Sequence, residues 1–286
     1  MFTAKIENAN GQVLTLSQNE SDYQIISITG LNPPPAQINT TSIAGLDGGK
    51  FNSSKLDTRN IVITLKLNGD VESNRINLYR MFRTKEQCTF YYSNNTRNVS
   101  IVGYVETVEV DLFSNAETMQ VSIICPSPYF RGMDEIITDI SNTMAAFQFP
   151  FSINIGSPIP FSIYMDERST NIFNDSESET GMIIEINVLS AINTILIQDA
   201  DKDESITLNY AFLDGDKITI NTNKGSKSIS LLRGGTTYNI FSALAQGSTF
   251  FQLAIGDNHF SYSVDDGVND ENVSIKITYS AAYRGV

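Results

Sequence analysis

The sequence predicts a mainly β protein in two domains, on three observations. Hydrophobic residues alternate with polar ones over many short segments, the period-2 pattern of strands with one buried and one wet face. Gly-, Asn- and Asp-rich turn signals separate those segments at short intervals. Only one stretch carries helical spacing. The chain has 286 residues, and at roughly 150 residues per domain that length suggests two domains.

Taken in order, Ile61, Ile63, Leu65 and Leu67 alternate with Val62, Thr64 and Lys66. The helix is expected over Val71–Thr84, with Gly69-Asp70 supplying its cap and Ile76, Tyr79 and Phe82 at helical spacing beside Leu78 and Met81. Strands follow at Phe90-Tyr91-Tyr92, at Val108, Val110 and Leu112, and at Met119, Val121 and Ile123. One wet face per strand suits antiparallel sheets. Cys125-Pro126-Ser127-Pro128-Tyr129 then ends a strand, because two close prolines cannot continue a ladder.

The second half repeats the pattern more densely. Its apolar phases are Phe161, Ile163 and Met165; Ile184, Ile186 and Val188; and Ile206, Leu208, Tyr210 and Phe212. Then come Ile218 and Ile220; Ile229 and Leu231; Phe260, Tyr262 and Val264; and Val273, Ile275, Ile277 and Tyr279. Asp214-Gly215, Asn223-Lys224-Gly225, Gly234-Gly235, Gly256-Asp257-Asn258 and Asp266-Gly267 read as turns. Short strands at such regular spacing indicate a β-sandwich or jelly roll. The boundary is placed near 130–150, giving domains 1–135 and 136–286, with a linker-like stretch running to Pro150.

Composition excludes several functions. The chain carries 19 Lys and Arg against 32 Asp and Glu, a net charge of −13. Nucleic-acid binding runs on Lys and Arg, so no nucleic-acid partner is expected. Split at residue 144, the first part is −4 and the second −9, so the acidity sits in the second domain. That suggests a basic or cation-bridged partner surface, or simply solubility. The N-terminus has no basic stretch followed by an apolar run, and no apolar run approaches the ~20 residues that span a bilayer. Neither export nor membrane insertion is expected. Cys88 and Cys125 belong to no C-x-x-C pair and are expected to be reduced and structural.

No catalytic constellation stands out. The single His, His259, falls on the polar phase of its strand, and there is no G-x-S-x-G elbow. Gly45–Lys50 resembles a phosphate loop, but Ala44 stands where its first Gly belongs and Phe51 where a Ser or Thr should hold magnesium. A turn is the better reading. Asp199, Asp201 and Asp203 have calcium-loop spacing, but Glu204 and Tyr210 replace the required Gly and Glu. Close carboxylates such as Asp265-Asp266 and Glu177 with Glu179 are expected by chance in so acidic a chain. The expectation is no enzyme, no cofactor and no metal site.

A resemblance carries the functional reading. Ile28-Thr29-Gly30-Leu31, then prolines, then Gly45-Leu46-Asp47-Gly48-Gly49-Lys50-Phe51, Arg59-Asn60 before a strand, the helix, Val102-Gly103-Tyr104-Val105 and the Cys125–Phe130 terminator stand in order. Later come Asn154-Ile155-Gly156 before Pro158 and Pro160, Gly215–Thr222, Phe250-Phe251-Gln252-Leu253 and Tyr283-Arg284-Gly285-Val286. This order and spacing resemble the siphovirus-type phage distal tail (Dit) proteins over almost the whole chain. The resemblance implies a tail-tube-like β-sandwich or split barrel with one helix, followed by a galectin-like jelly-roll sandwich. It implies a structural baseplate protein at the virion tail tip, assembled in a bacterial cytoplasm. It also implies a hexameric ring that joins the tail tube to the tail-associated hub protein and to receptor-binding or other baseplate proteins.

The polar segment from Leu31 to Phe51, with Pro33, Pro34 and Pro35 at its start, reads as a long loop, either ordered only in the assembly, against a neighbouring protomer or the tube, or an ordinary surface loop. Its candidate interface residues are Leu31, Pro33, Pro34, Pro35, Asp47, Gly48, Gly49, Lys50 and Phe51. The alternative function is a soluble carbohydrate-binding β-sandwich, with Tyr210, Tyr238 or Tyr262 as the stacking aromatic. The absence of Trp counts against it.

Overall fold

A computed structural model describes residues 2–16, 22–111, 117–140, 143–145, 162–164, 169–268 and 270–286. The chain forms two compact units. One comprises residues 1–134 together with 282–286, the other residues 135–281. Among the described residues, no helix is long and apolar enough to cross a membrane.

The first unit begins with β1 (Thr3–Asn8), β2 (Val13–Leu16), β3 (Tyr23–Thr29), β4 (Ala36–Ser42), β5 (Gly49–Leu56) and β6 (Arg59–Leu67). Helix α1 (Val71–Met81) follows, then β7 (Gln87–Ser93), β8 (Asn98–Asp111), β9 (Thr118–Cys125) and the start of β10 (Phe130–Asp139). Seven strands make one antiparallel ladder in the order β2-β1-β7-β8-β9-β6-β3. The 14-residue β8 pairs with β7 through its first half and with β9 through its second, with a register shift between Val105 and Thr107, and the start of β10 pairs with it at Val99 and Ser100. A bulge of this kind bends the strand. Among the described residues no ladder joins β2 to β3, so the barrel stays open.

The alternation predicted for β6 is observed: Ile61, Ile63 and Leu65 are fully buried and Leu67 nearly so. They meet Met119, Val121 and Ile123 of β9 in one core. Each such side chain contributes roughly 1.5–3 kcal/mol by leaving water. Leu112 lies outside the described residues, and Val108 and Val110 are only half-buried.

The helix is shorter than expected and shows the core a different face. Asp70 caps it by accepting from the Ser73 N–H, and it ends at Met81. Asn74, Leu78 and Phe82 are buried, whereas Tyr79 is exposed and Ile76 half-buried. A polar residue holds the core face because its amide is satisfied: Asn74 donates to the Asn68 carbonyl and accepts from the Tyr23 hydroxyl.

The second unit contains β11 (Thr143–Ala145), β12 (Ser162–Tyr164), β13 (Ser169–Asn174), β14 (Ile183–Val188), β15 (Ile192–Asp199), β16 (Glu204–Phe212), β17 (Lys217–Asn221), β18 (Ser228–Arg233), β19 (Thr236–Asn239), β20 (Gly256–Val264) and β21 (Val273–Tyr283). One sheet runs β19-β18-β17-β14-β21, the other β13-β20-β15-β16. Ile184, Ile186, Ile218, Ile220, Ile275 and Ile277 from the first share one core with Ile195, Ile197, Leu208, Phe260 and Tyr262 from the second. This is a two-layer β-sandwich.

Two strand readings change. Tyr210 is exposed rather than buried, because it falls where the β15–β16 register breaks between Ile192 and Thr194. Gly256 opens β20 instead of sitting in a turn, at φ +90°. The linker-like stretch is largely strand where it is described: Phe130–Asp139 form β10 and Thr143–Ala145 form β11. Phe161, Met165, the side chain of Ile163, Asn154-Ile155-Gly156, Pro158, Pro160 and residues 141–142 and 146–150 of that stretch lie outside the described residues.

Candidate functional site

The segment read as a long loop is a β-hairpin. Among the described residues β4 and β5 pair only with each other, from Ala36↔Leu56 to Ser42↔Gly49. Every residue of β4 is exposed, and all of β5 up to Lys55. The sequence hid these strands because burial is what imposes apolar alternation, and neither face is covered.

The hairpin is nonetheless two-faced. Its register shifts between Asn39 and Thr40, so that Asn39 faces Ser53 but Thr40 faces Phe51, with Asn52 as the extra residue. Residues directly opposite one another point to one side. Ala36, Ile38 and Thr40 therefore share a face with Leu56, Ser54 and Phe51. Gln37, Asn39 and Thr41 share the other with Lys55, Ser53 and Lys50. Without the bulge Phe51 would sit among the polar residues. Polar pairs reinforce the second face: Asn39 Nδ2 donates to Ser53 Oγ at 3.0 Å and Asn52 Nδ2 to Thr41 Oγ1 at 2.6 Å. On the first face Ile38 is 63% and Phe51 60% exposed, and Leu46 at the tip is 67% exposed. A two-stranded ribbon alone in water is marginal, and the apolar face of this one is uncovered among the described residues.

The predicted residues fall along this element. Leu31 lies at its foot, half-buried against the first core. Pro33, Pro34 and Pro35 form the stalk, whose fixed φ and missing donors stiffen it. Asp47 and Gly48 lie at the tip, Gly48 at φ +91°, and Gly49, Lys50 and Phe51 begin β5. The structure adds Ile38, Ile43 and Leu46 to the exposed apolar set.

The foot is held by a residue the sequence marked only as the start of a strand. Arg59 is buried, and among the described residues its guanidinium meets carbonyls rather than a carboxylate. It donates to the carbonyls of Gly30, of Asn32 at 2.8 Å, of Pro128 at 2.8 and 2.9 Å and of Arg284 at 2.5 Å. Its carbon centre lies 4.4 Å from the Phe130 ring centroid. Burial pushes its pKa down. Arginine alone offers five donors in a planar fork suited to several carbonyls at once. Gly30 is required here: at φ +82° a Cβ would lie 2.0 Å from the Asn60 carbonyl oxygen.

The residues weighed for chemistry have structural partners. His259 is exposed and its Nδ1 lies 3.1 Å from both Asp201 carboxylate oxygens. Asp201 also accepts from the His259 backbone N–H, and these bonds hold its carboxyl below the usual range. Asp199 accepts from the Asp201 N–H and pairs with Lys202 at 3.2 Å. Asp265 accepts from the N–H groups of Asn193 and Thr194. Among the described residues no group of His, Cys, Asp and Glu is arranged to hold a metal ion.

The comparisons agree with this architecture. A model of the siphovirus-type tail component C-terminal domain matches residues 175–283. A model of the phage tail protein RIFT-related domain matches residues 10–125. No curated protein sequence matches the chain. Among solved structures, the crystal structure of SPP1 Dit (gp 19.1), described as a paradigm of the hub adsorption apparatus in phages infecting Gram-positive hosts, aligns over 99% of both chains at TM-score 0.72 and 15% identity. A chain of the phage P2 baseplate in its activated conformation with Ca aligns over 100% of both chains at TM-score 0.55 and 12% identity. At these identities the structures speak for the fold; with two tail-protein models matched in order along most of its length, the chain belongs to the siphovirus-type distal tail protein family.

Proposed function

We propose that this phage tail protein is the distal hub of the tail, and that six copies close into a ring. The observation that carries the reading is the hairpin Ala36–Leu56. It is a paired but uncovered ribbon whose exposed apolar residues, Ile38 and Phe51, lie on one face. In a closed ring each protomer offers one surface and receives the complementary one, and a neighbouring copy or the tube covers that face. The ring sits at the virion tail tip, between the tail tube on one side and the tail-associated hub protein on the other. The β-sandwich carries the receptor-binding or other baseplate proteins.

The function is structural. His259, Asp199, Asp201 and Asp265 are engaged in turns and ion pairs, and the family is one of tail components. The experiment is the solution mass of the purified chain and of a double variant, Ile38→Asp with Phe51→Asp. A six-chain particle that falls to one chain in the variant supports the proposal. A single chain in both, with saturable glycan binding lost on Tyr210→Ala or Tyr238→Ala, supports the carbohydrate-binding alternative instead.

A further inference from the structure

We infer that the segment Tyr283–Val286 is a strap that fixes the direction in which the hairpin leaves the first unit. Four independent contacts converge on it. The Arg97 guanidinium lies 4.0 Å from the Tyr283 ring centroid. The Arg284 carbonyl accepts from Arg59, the same guanidinium that holds the Gly30 and Asn32 carbonyls at the hairpin foot. At Gly285 the backbone lies so near the stalk that a Cβ would fall 3.0 Å from Pro33 Cδ and 3.2 Å from the Leu31 carbonyl oxygen. The Val286 N–H donates to that Leu31 carbonyl at 3.2 Å. Tyr283, Val286 and Leu31 each pack against the first core.

The strap therefore touches 31–33, the last residues before the stiff Pro33-Pro34-Pro35 stalk. Across the base, Gln37 donates to Asp57, tying the beginning of β4 to the chain that leaves β5. A proline stalk transmits orientation only if its lower end is clamped, and residues 283–286 supply one jaw of that clamp while Arg59 supplies the other. The consequence is that the hairpin is aimed before any partner covers it. That lowers the ordering cost of assembly, since a preorganised element has less freedom to lose on binding. The aiming is a property of the single chain. Its use in building a ring rests on the function proposed above.

The test is a pulsed-EPR distance in the full chain, spin-diluted with unlabelled protein. Labels go on Leu46→Cys at the hairpin tip and Tyr104→Cys on β8, both exposed positions, while native Cys88 and Cys125 are buried. The parent is expected to give one narrow distance. Gly285→Val, which wedges the strap from the stalk, and deletion of residues 284–286 are each expected to about double the width of the distribution, as for an element released to local motion, with far-UV dichroism unchanged. Should the deletion fail to fold, Gly285→Val decides alone. An unchanged width in the variants, or a parent as broad as they are, overturns the inference. A narrow parent distance that broadens in the variants, in a chain that never forms rings, leaves the strap standing and sinks the ring reading.

Discussion

Arg59 donates to the carbonyl of Arg284 at 2.5 Å, across 225 positions of sequence. Arg59 thereby joins three stretches of backbone through four carbonyls, those of Gly30 and Asn32, of Pro128 and of Arg284, and through carbonyl acceptors alone among the described residues. Removing it leaves these carbonyls short of a donor, and each unsatisfied buried group costs about 1–3 kcal/mol. Arg59→Leu is expected to destabilise the first unit by at least about 3 kcal/mol. Arg59→Lys should recover only part of that, because an ammonium is a point donor and cannot span the four positions. Urea titration followed by tryptic sensitivity of the first unit measures both. Equal stability of the lysine variant and the parent would contradict the clamp.

Glycines at the two ends of the hairpin separate close approach from turn geometry. Gly30 and Gly48 both have positive φ, but a Cβ at Gly30 would strike the Asn60 backbone whereas one at Gly48 meets nothing within 4 Å. Gly48→Ala should cost only the left-handed penalty of about 1–2 kcal/mol. Gly30→Ala should cost more than about 3 kcal/mol, since backbone must move as well. Thermal melting of the two single variants distinguishes them, and similar losses would be inconsistent with the close approach of Gly30 to β6.

The buried thiols should be inert. Desolvation pushes Cys88 up to about 11 and Cys125 up to about 12, both from an ordinary value of 9.0. Iodoacetamide at pH 8 is expected to leave both unmodified in the folded chain and to alkylate both in urea, as read by mass spectrometry. These groups hold their protons more tightly when folded, so their stabilising contribution is complete below about pH 9 and is lost as pH rises towards 11 and 12. Rapid alkylation of the native protein would refute the burial of these groups.

Acid should act on the sandwich through Asp216. This carboxylate is 2% exposed and accepts from Arg233 Nε at 2.8 Å and Nη2 at 2.5 Å, with a further bond from the Leu213 N–H. The Arg233 bonds hold its pKa below the usual range. A depressed carboxyl stabilises the fold above its ordinary value, and that contribution drains away as pH falls through its folded value. Asp216→Asn should destabilise the second unit by about 1–3 kcal/mol at pH 7 and flatten its stability profile below about pH 4. A variant that retains the parent's full acid dependence would show that Asp216 is not the responsible group.

How much of this was legible depends on what is buried. Wherever one face of a strand meets a core, as at Ile61–Leu67, Met119–Ile123 or Val273–Tyr279, alternation announced the strand. The reading slipped where another interaction decides burial. Asn74 displaces Ile76 from the helix face because Asn68 and Tyr23 satisfy its amide. Tyr210 turns outward where a ladder loses register. The hairpin was visible as a segment, through its prolines and glycines, but not as strands, since Gln37, Asn39 and Thr41 alternate with residues that are equally exposed. The role of Tyr283–Val286 at the hairpin foot depends on contacts distant in sequence, and no local pattern encodes them.

The measurement that bears most directly on the central claim is the mass of the purified chain in solution, compared with the Ile38→Asp, Phe51→Asp variant and imaged by negative stain. Six-fold rings near six times the 31.6 kDa chain mass are expected, reduced to single folded chains in the variant. A parent that stays a single chain at its highest soluble concentration, or rings that persist with both apolar residues of the hairpin replaced, would contradict it.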